Sequence, residues 1–277
     1  MDAALLAPAM MIASGSIHAV LNAILKGGKD KMAGRAVIDA TSALILLPAT
    51  LLVPLPHGAW PWIAGTALVH CAYLYALVRA FQASDLSAAY PIMRGTAPLV
   101  TAVVVIGVLG EPASPRELAG IALIGAAMFV LVFGRHISRA GLGWALFTGV
   151  TISGYTVIDA HGVRAAPTPL SYIVWMFVLM GAATVTMFAL LSRGAIFAAG
   201  ARQWRPGVAA GALSILTYGL ALWALALGPT APLAALRETG MVTALVIATL
   251  FLGERVTPGR VAAVLGILAG AGLILTR

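Results

Sequence analysis

Charge is the scarcest feature of this sequence. Only 9% of its 277 residues are Asp, Glu, Lys or Arg, whereas 61% are hydrophobic. A soluble domain carries about 25% charged residues. So few charges cannot cover a water-facing surface of this size, so most of the surface must face lipid. Cysteine is nearly absent too. Cys71 stands alone in an apolar run, which excludes disulfide frameworks and cysteine metal sites. No G-x-x-x-x-G-K-[ST] loop occurs, so ATP hydrolysis through that motif is excluded. The basic residues, in excess by +8, form no patch or stripe such as a phosphate backbone requires. They are scattered in short loops, where they set membrane topology. Nucleic acid is therefore not an expected partner, and no cofactor or metal is expected.

Long apolar runs are abundant. They lie near residues 3–25, 36–55, 60–81, 87–109, 117–134, 141–160, 169–191, 207–226, 231–252 and 260–276. A spanning helix takes about 20 apolar residues, so ten of them use up the length and leave no room for a soluble domain. The runs do not alternate as barrel strands do, so helices are expected throughout. The first run is too long for a cleavable leader and has no basic start, so it reads as a helix that stays. Proline and glycine clusters punctuate the runs, among them Pro54-Leu-Pro56, Glu111-Pro-Ala-Ser-Pro115, Pro167-Thr-Pro169 and Gly228-Pro-Thr-Ala-Pro232.

An internal repeat organises the chain. A shift of 143 residues lays Leu109-Gly110-Glu111 on Leu252-Gly253-Glu254 and pairs Pro115 with Pro258, Arg94 with Arg237 and Tyr75 with Tyr218. A weaker match at 137 pairs Ser16 with Ser153, and sets His18 against Tyr155 and Asn22 against Asp159. The expected domains are residues 1–139 and 140–277. Five helices per copy is odd, so the second copy must start from the opposite side. Loop charges agree. The first loop of copy one holds Lys26, Lys29, Lys31 and Arg35, against only Arg164 in its counterpart; the second loop has none, against Arg193, Arg202 and Arg205. The bias flips between copies, as inverted repeats require. Summed, eleven Lys/Arg lie on one side and three (Arg116, Arg164, Arg277) on the side with both termini. By the positive-inside rule the termini then lie outside the cytoplasm.

The stretch Asp85-Leu-Ser-Ala-Ala-Tyr90-Pro-Ile-Met-Arg94-Gly-Thr-Ala-Pro98 followed by Leu109-Gly-Glu111 resembles the EamA repeat of the drug/metabolite transporter superfamily. Arg237-Glu-Thr-Gly240 followed by Leu252-Gly-Glu254 resembles its second copy, and Ser16 to Lys26 resembles the first helix of one branch. The resemblance implies ten helices around a central cavity and alternating access. It implies secondary exporters of amino acids or related metabolites, such as the YddG-type aromatic amino acid exporters, in the cell inner membrane and not enzymes. It also implies cytoplasmic termini, against the loop count.

Ionisable side chains within a bilayer cost about 2.5–3.5 kcal/mol each at a helix centre, so each invites a reason. Arg94, Arg237 and Glu238 are expected to line the cavity and attract a carboxylate or phosphate, or to bind helix-end carbonyls and acidic neighbours. Asp159 and Tyr155, with His18 and Asn22 in the other copy, read as a polar wall that binds substrate or couples it to protons, or as glue between helices. Asp39 and Arg79 read as packing or snorkelling residues. His70, Tyr73, Tyr75, Tyr90, Trp175 and Tyr218 are candidate aromatic walls, or members of an interfacial belt. Glycines of the fifth and tenth runs (Gly120, Gly125, Gly266, Gly270, Gly272) permit close packing, or a homodimer contact; a monomer or weak homodimer is expected. An exchanger of phosphorylated metabolites or nucleotide sugars would need a more basic cavity. A membrane enzyme would need a clustered catalytic set, and a non-transporting scaffold would need no repeat-related charges.

Overall fold

A computed structural model describes residues 3–25, 31–201, 204–252 and 255–276. Lys26, Lys29, Arg202, Gly253, Glu254 and Arg277, and the side chain of Asn22, lie outside the described residues.

Twelve α-helices follow one another, with no strand among the described residues. They are α1 (Ala3–Leu25), α2 (Lys31–Leu46), α3 (Trp60–Ala83), α4 (Leu86–Ala102), α5 (Pro115–Val130) and α6 (Arg139–Ala165). Then come α7 (Pro169–Leu191), α8 (Ala195–Ala201), α9 (Trp204–Leu227), α10 (Thr230–Leu236), α11 (Gly240–Leu252) and α12 (Pro258–Leu275). Among the described residues eight spans are long and apolar enough to cross a membrane; α1 carries a shorter apolar stretch, Leu5–Leu21. Large apolar side chains such as Leu51, Phe133 and Leu250 stand exposed on the outside, as a lipid-facing surface requires.

Four helices begin at a side-chain cap. Ser114 accepts from the Glu117 N–H at 3.2 Å while Glu117 accepts from the Ser114 N–H at 2.7 Å, a reciprocal capping box at the start of α5. Ser138, Thr168 and Thr257 each accept one N–H of the first turn of α6, α7 and α12. Three spans are irregular. The second ends in a 3-10 segment, Leu47–Leu51, and the fourth in a π-helical segment, Val103–Val108. The ninth run is broken: α10 passes through a 3-10 turn, Arg237–Thr239, into α11.

Packing follows a regular scheme. α3 lies on α6 and α1 on α9; α4 lies on α6, and α1 on the 3-10 turn and α11; α2 touches α9 and α3 touches α7. Two further pairs, α2 with α7 and α5 with α12, are antiparallel. In the α5–α12 pair Gly120 faces Gly270, and a Cβ on Gly266 would stand 2.9 Å from that of Ala127. In the α2–α7 pair Asp39 and Ala43 face Gly181, while Ala36 packs with Phe188. Four of the five glycines noted in the fifth and tenth runs thus meet neighbours within the chain; Gly272 has nothing within 4 Å. The main core runs through the middle, with Met11, Ile63, Tyr172, Phe177 and Leu222 fully buried.

Candidate functional site

The broken span and α4 bring the charges together. Arg94 and Glu238 form an ion pair of 2.7 Å, with only 8% and 3% of each residue exposed. Arg94 belongs to the first half of the chain and Glu238 to the second, so the pair bridges them. Arg237 is 9% exposed, its Nε has no hydrogen-bond partner among the described residues, and its guanidinium lies 5.1 Å from the centre of the Tyr218 ring. The two arginines are related by the 143-residue shift, but the same shift sets Glu238 against Gly95. Glu238 lies between the two arginines and makes its ion pair with Arg94. The break arises where α1 crosses. A Cβ on Gly15 would collide with the Arg237 carbonyl, and one on Gly240 with Gly15, so the two backbones touch. Thr239 donates to the Leu236 carbonyl at 2.7 Å and tightens the turn.

Arg94, Arg237, Glu238 and Tyr218 line a narrow cleft of ≈ 20 Å³ together with Met11, Thr101, Ile152, Thr156 and Leu225. That is room for about one water molecule, well short of the roughly 300–1,000 Å³ of small-molecule sites, so a substrate has to widen it. His18, half-buried on α1, is within electrostatic reach of Arg237, Arg94 and Arg35.

Asp159 is fully buried beside the cleft rather than on its wall. It accepts from the Tyr172 hydroxyl at 2.7 Å and from the Tyr218 hydroxyl in a very short bond. Tyr218 thus links Asp159 to Arg237: its hydroxyl donates to Asp159 and its ring faces Arg237. Around it, His70 stacks on Tyr155 at 4.1 Å and meets Tyr73 and Tyr218 edge-on at 6.1 and 6.0 Å. His70 Nδ1 lies 3.0 Å from the Thr66 carbonyl and 3.1 Å from the Thr66 hydroxyl. Tyr90 is half-buried on the same aromatic cluster.

Other expected site residues lie elsewhere. Tyr75 is 42% exposed and meets Trp144 edge-on at 5.9 Å, away from the cleft. Trp175 meets Trp60 edge-on at 5.4 Å, near the end of the molecule where the termini lie. Arg79 lies over Trp144 at 5.6 Å. Asp39 is bound by Arg35 at 2.9 Å, four residues earlier on one helix face. The sequence reading overlooked Tyr172. It has no repeat partner or motif to mark it, and only the fold sets it opposite Asp159.

A second polar cluster lies at the ends of the spans. Gly110 adopts φ +74°, which gives Leu109-Gly110-Glu111 its turn. Glu111 then meets Arg164 at 3.0 Å and accepts from the Thr230 N–H and hydroxyl, both at 2.9 Å. Partial burial disfavours its charge, but these donors outweigh that and hold the carboxyl below its ordinary value.

Buried charges between long apolar helices define a multi-pass membrane protein with a polar internal site. Residues 139–276 match the EamA-like transporter family, so the second half of the chain is an EamA-like domain and the protein falls in the class of small-molecule membrane transporters. Among solved structures 28 chains match. One, a crystal structure of another protein, covers 99% of this chain and 98% of its own with a TM-score of 0.75 at 19% identity. At that identity the likeness shows a common fold and nothing of the substrate. No curated protein matches the chain.

Proposed function

We propose that the protein is a secondary transporter that exports amino acids or closely related metabolites, aromatic ones included, across the cell inner membrane by alternating access. The observation that carries the reading is the buried Arg94–Glu238 pair between the halves, beside Arg237 at the wall of one cleft. Arg237 suits a substrate carboxylate, because its Nε is buried without a partner among the described residues. The rings of Tyr218, Tyr155 and His70 suit the apolar or aromatic part of such a molecule and a cationic amino group. Asp159 and His18 are the proposed coupling groups. A phosphorylated metabolite or nucleotide sugar fits less well, since Glu238 already neutralises Arg94 and leaves little positive charge for a dianion. A scaffold would have no use for buried charges at the junction of its halves.

The proposed architecture is ten spans in two inverted repeats, residues 1–139 and 140–277. Exchange α1 with α6, α2 with α7, α3 with α9, α4 with α10–α11 and α5 with α12. The packing pairs then map onto one another: α3–α6 becomes α9–α1, α4–α6 becomes α11–α1, and α2–α9 becomes α7–α3. The pairs α2–α7 and α5–α12 map onto themselves, and both are antiparallel. A two-fold axis along the helices would leave such pairs parallel, so their direction supports an axis in the membrane plane. The family match beginning at residue 139 agrees with the boundary. For the termini we take the loop charges over the family's usual orientation, which sets both ends outside the cytoplasm.

The test is efflux of radiolabelled amino acids from loaded proteoliposomes, for the parent protein and for Arg237→Gln, Glu238→Gln and Asp159→Asn. The expected result is saturable flux for the parent and at least one step of loss, about tenfold or more, for Arg237→Gln. Absence of flux for every amino acid contradicts the reading. Flux indifferent to a collapsed proton gradient makes the protein a facilitator and removes Asp159 and His18 from coupling.

A further inference from the structure

The cluster at Glu111 joins elements that are far apart in sequence, directly above the cleft. Glu111 comes from the α4–α5 connection, Arg164 from the last turn of α6, and Thr230 from the first turn of α10. Arg164 uses its whole fork: Nη1 to Glu111 at 3.0 Å, Nε to the Leu225 carbonyl at 3.0 Å, and Nη2 to the Gly228 carbonyl at 2.6 Å and the Thr230 hydroxyl at 3.1 Å. Glu111 closes the ring, since it accepts both from Arg164 and from the Thr230 hydroxyl and N–H. The loop between α9 and α10 is thus fastened by Arg164 at Leu225 and Gly228 and by Glu111, from the other half of the chain, at Thr230.

What lies beneath is the cleft. Leu225, whose carbonyl Arg164 holds, is one of its lining residues; so are Thr101 on α4 and Ala234 on α10. The lining runs from Arg94 and Arg237 toward this end of the molecule, where both termini lie, and stops under the cluster. α10 links the two places. It begins at Thr230, held by Glu111, and hands over to Arg237 and Glu238 after Leu236, a distance of about 10 Å at the rise of a helix. A mid-span 3-10 turn of this kind is a natural hinge. Charge-assisted hydrogen bonds of this geometry are the strong kind, yet Glu111 and Arg164 remain partly open to water, at 22% and 34% exposure. They can therefore part without leaving a bare charge in the membrane.

We infer that Glu111, Arg164 and Thr230 form the gate that seals the cleft on the terminal face, with α10 as the lever between the gate and the Arg94–Glu238 pair. The inference rests on the alternating-access reading above for its purpose, but its test needs no substrate. Opening breaks the Glu111 contacts and frees the α9–α10 loop; closing re-forms them.

The experiment is side-specific labelling of one cysteine in the cleft. In a Cys71→Ser background, Ala221→Cys lies on α9 among the lining residues, 1% exposed. A membrane-impermeant maleimide is applied from each side in turn. Glu111→Gln is expected to speed labelling from the terminal face about fivefold or more, the low end of ordinary coupling between sites. Arg164→Gln is expected to do the same, and the double variant no more than either, because they act as one unit. Arg116→Gln, a basic neighbour on the same face, serves as the control and is expected to leave the rate unchanged. Unchanged labelling in Glu111→Gln protein of unaltered melting temperature overturns the gate, as does an equal rise in Arg116→Gln. If Glu111→Gln protein does not fold, Thr230→Val takes its place: it keeps the ion pair, removes the hydroxyl, and is expected to give a smaller rise, while no rise counts against the gate. A failed gate leaves the flux result standing, and absent flux leaves the labelling result standing.

Discussion

At the scale of residues, the decisive arrangement is one acid between two arginines. Arg94 has Glu238; Arg237 has the face of Tyr218. A buried charge that loses its partner is penalised far more than the pair is worth. Glu238→Ala is therefore expected to destabilise the protein by about 3–5 kcal/mol, while Arg94→Met with Glu238→Leu, which removes both charges, costs less; thermal unfolding in detergent measures both. The sequence announced Arg94, Arg237 and Glu238, because polar residues in apolar runs stand out and the repeat aligned the arginines. It did not announce their pairing, since Glu238 directly follows Arg237 but bonds across to another helix. Asp159 was legible as an unusual acid, yet Tyr155, four residues before it, is not what binds it. The partners are Tyr172 and Tyr218, 13 and 59 residues away, and no local pattern encodes such distances. Arg35 and Asp39 carry an i, i+4 signal; the apolar run leaves Arg35 in a loop, whereas α2 begins at Lys31 and takes it in. Arg164 likewise reads as a loop charge, and its role in the gate depends on the α9–α10 turn.

At the scale of elements, hydropathy and capping carried most of the information. The first and seventh runs match α1 and α7 at both ends, and the others differ by a few residues, longer at some ends and shorter at others. The short α8 was not foreseen, since seven residues are too few to show a period. Nor was the break at Arg237–Thr239. It comes from a crossing, the contact of Gly15 with Gly240, and a crossing is invisible along one chain. Glycine makes these crossings possible, which yields a graded expectation. Gly240→Val, placed against the α1 backbone, and Gly120→Val, facing the Gly270 carbonyl, are expected to cost about 1–3 kcal/mol each through overpacking. Gly272→Val, with open space around it, is expected to cost less than either; the three melting temperatures in one detergent decide it. A Gly272 variant as unstable as Gly120→Val would contradict the packing described here.

At the scale of the whole molecule, the proposed architecture is two halves of opposite orientation that share one cleft. The sequence supported this with loop charges and a repeat; the packing adds a scheme that returns to itself when the halves are exchanged. Ion pair, cleft and gate all lie where the halves meet, and an inverted pair of halves makes two mirror-related conformations natural. The most direct measurement is the sidedness of corresponding loops. In a Cys71→Ser background, His57→Cys lies in the exposed connection between α2 and α3, and Phe197→Cys, 61% exposed on α8, lies in its counterpart between α7 and α9. Impermeant maleimide added from one side and then the other is predicted to reach the two cysteines from opposite sides of the membrane. Labelling of both from the same side would contradict the inverted arrangement.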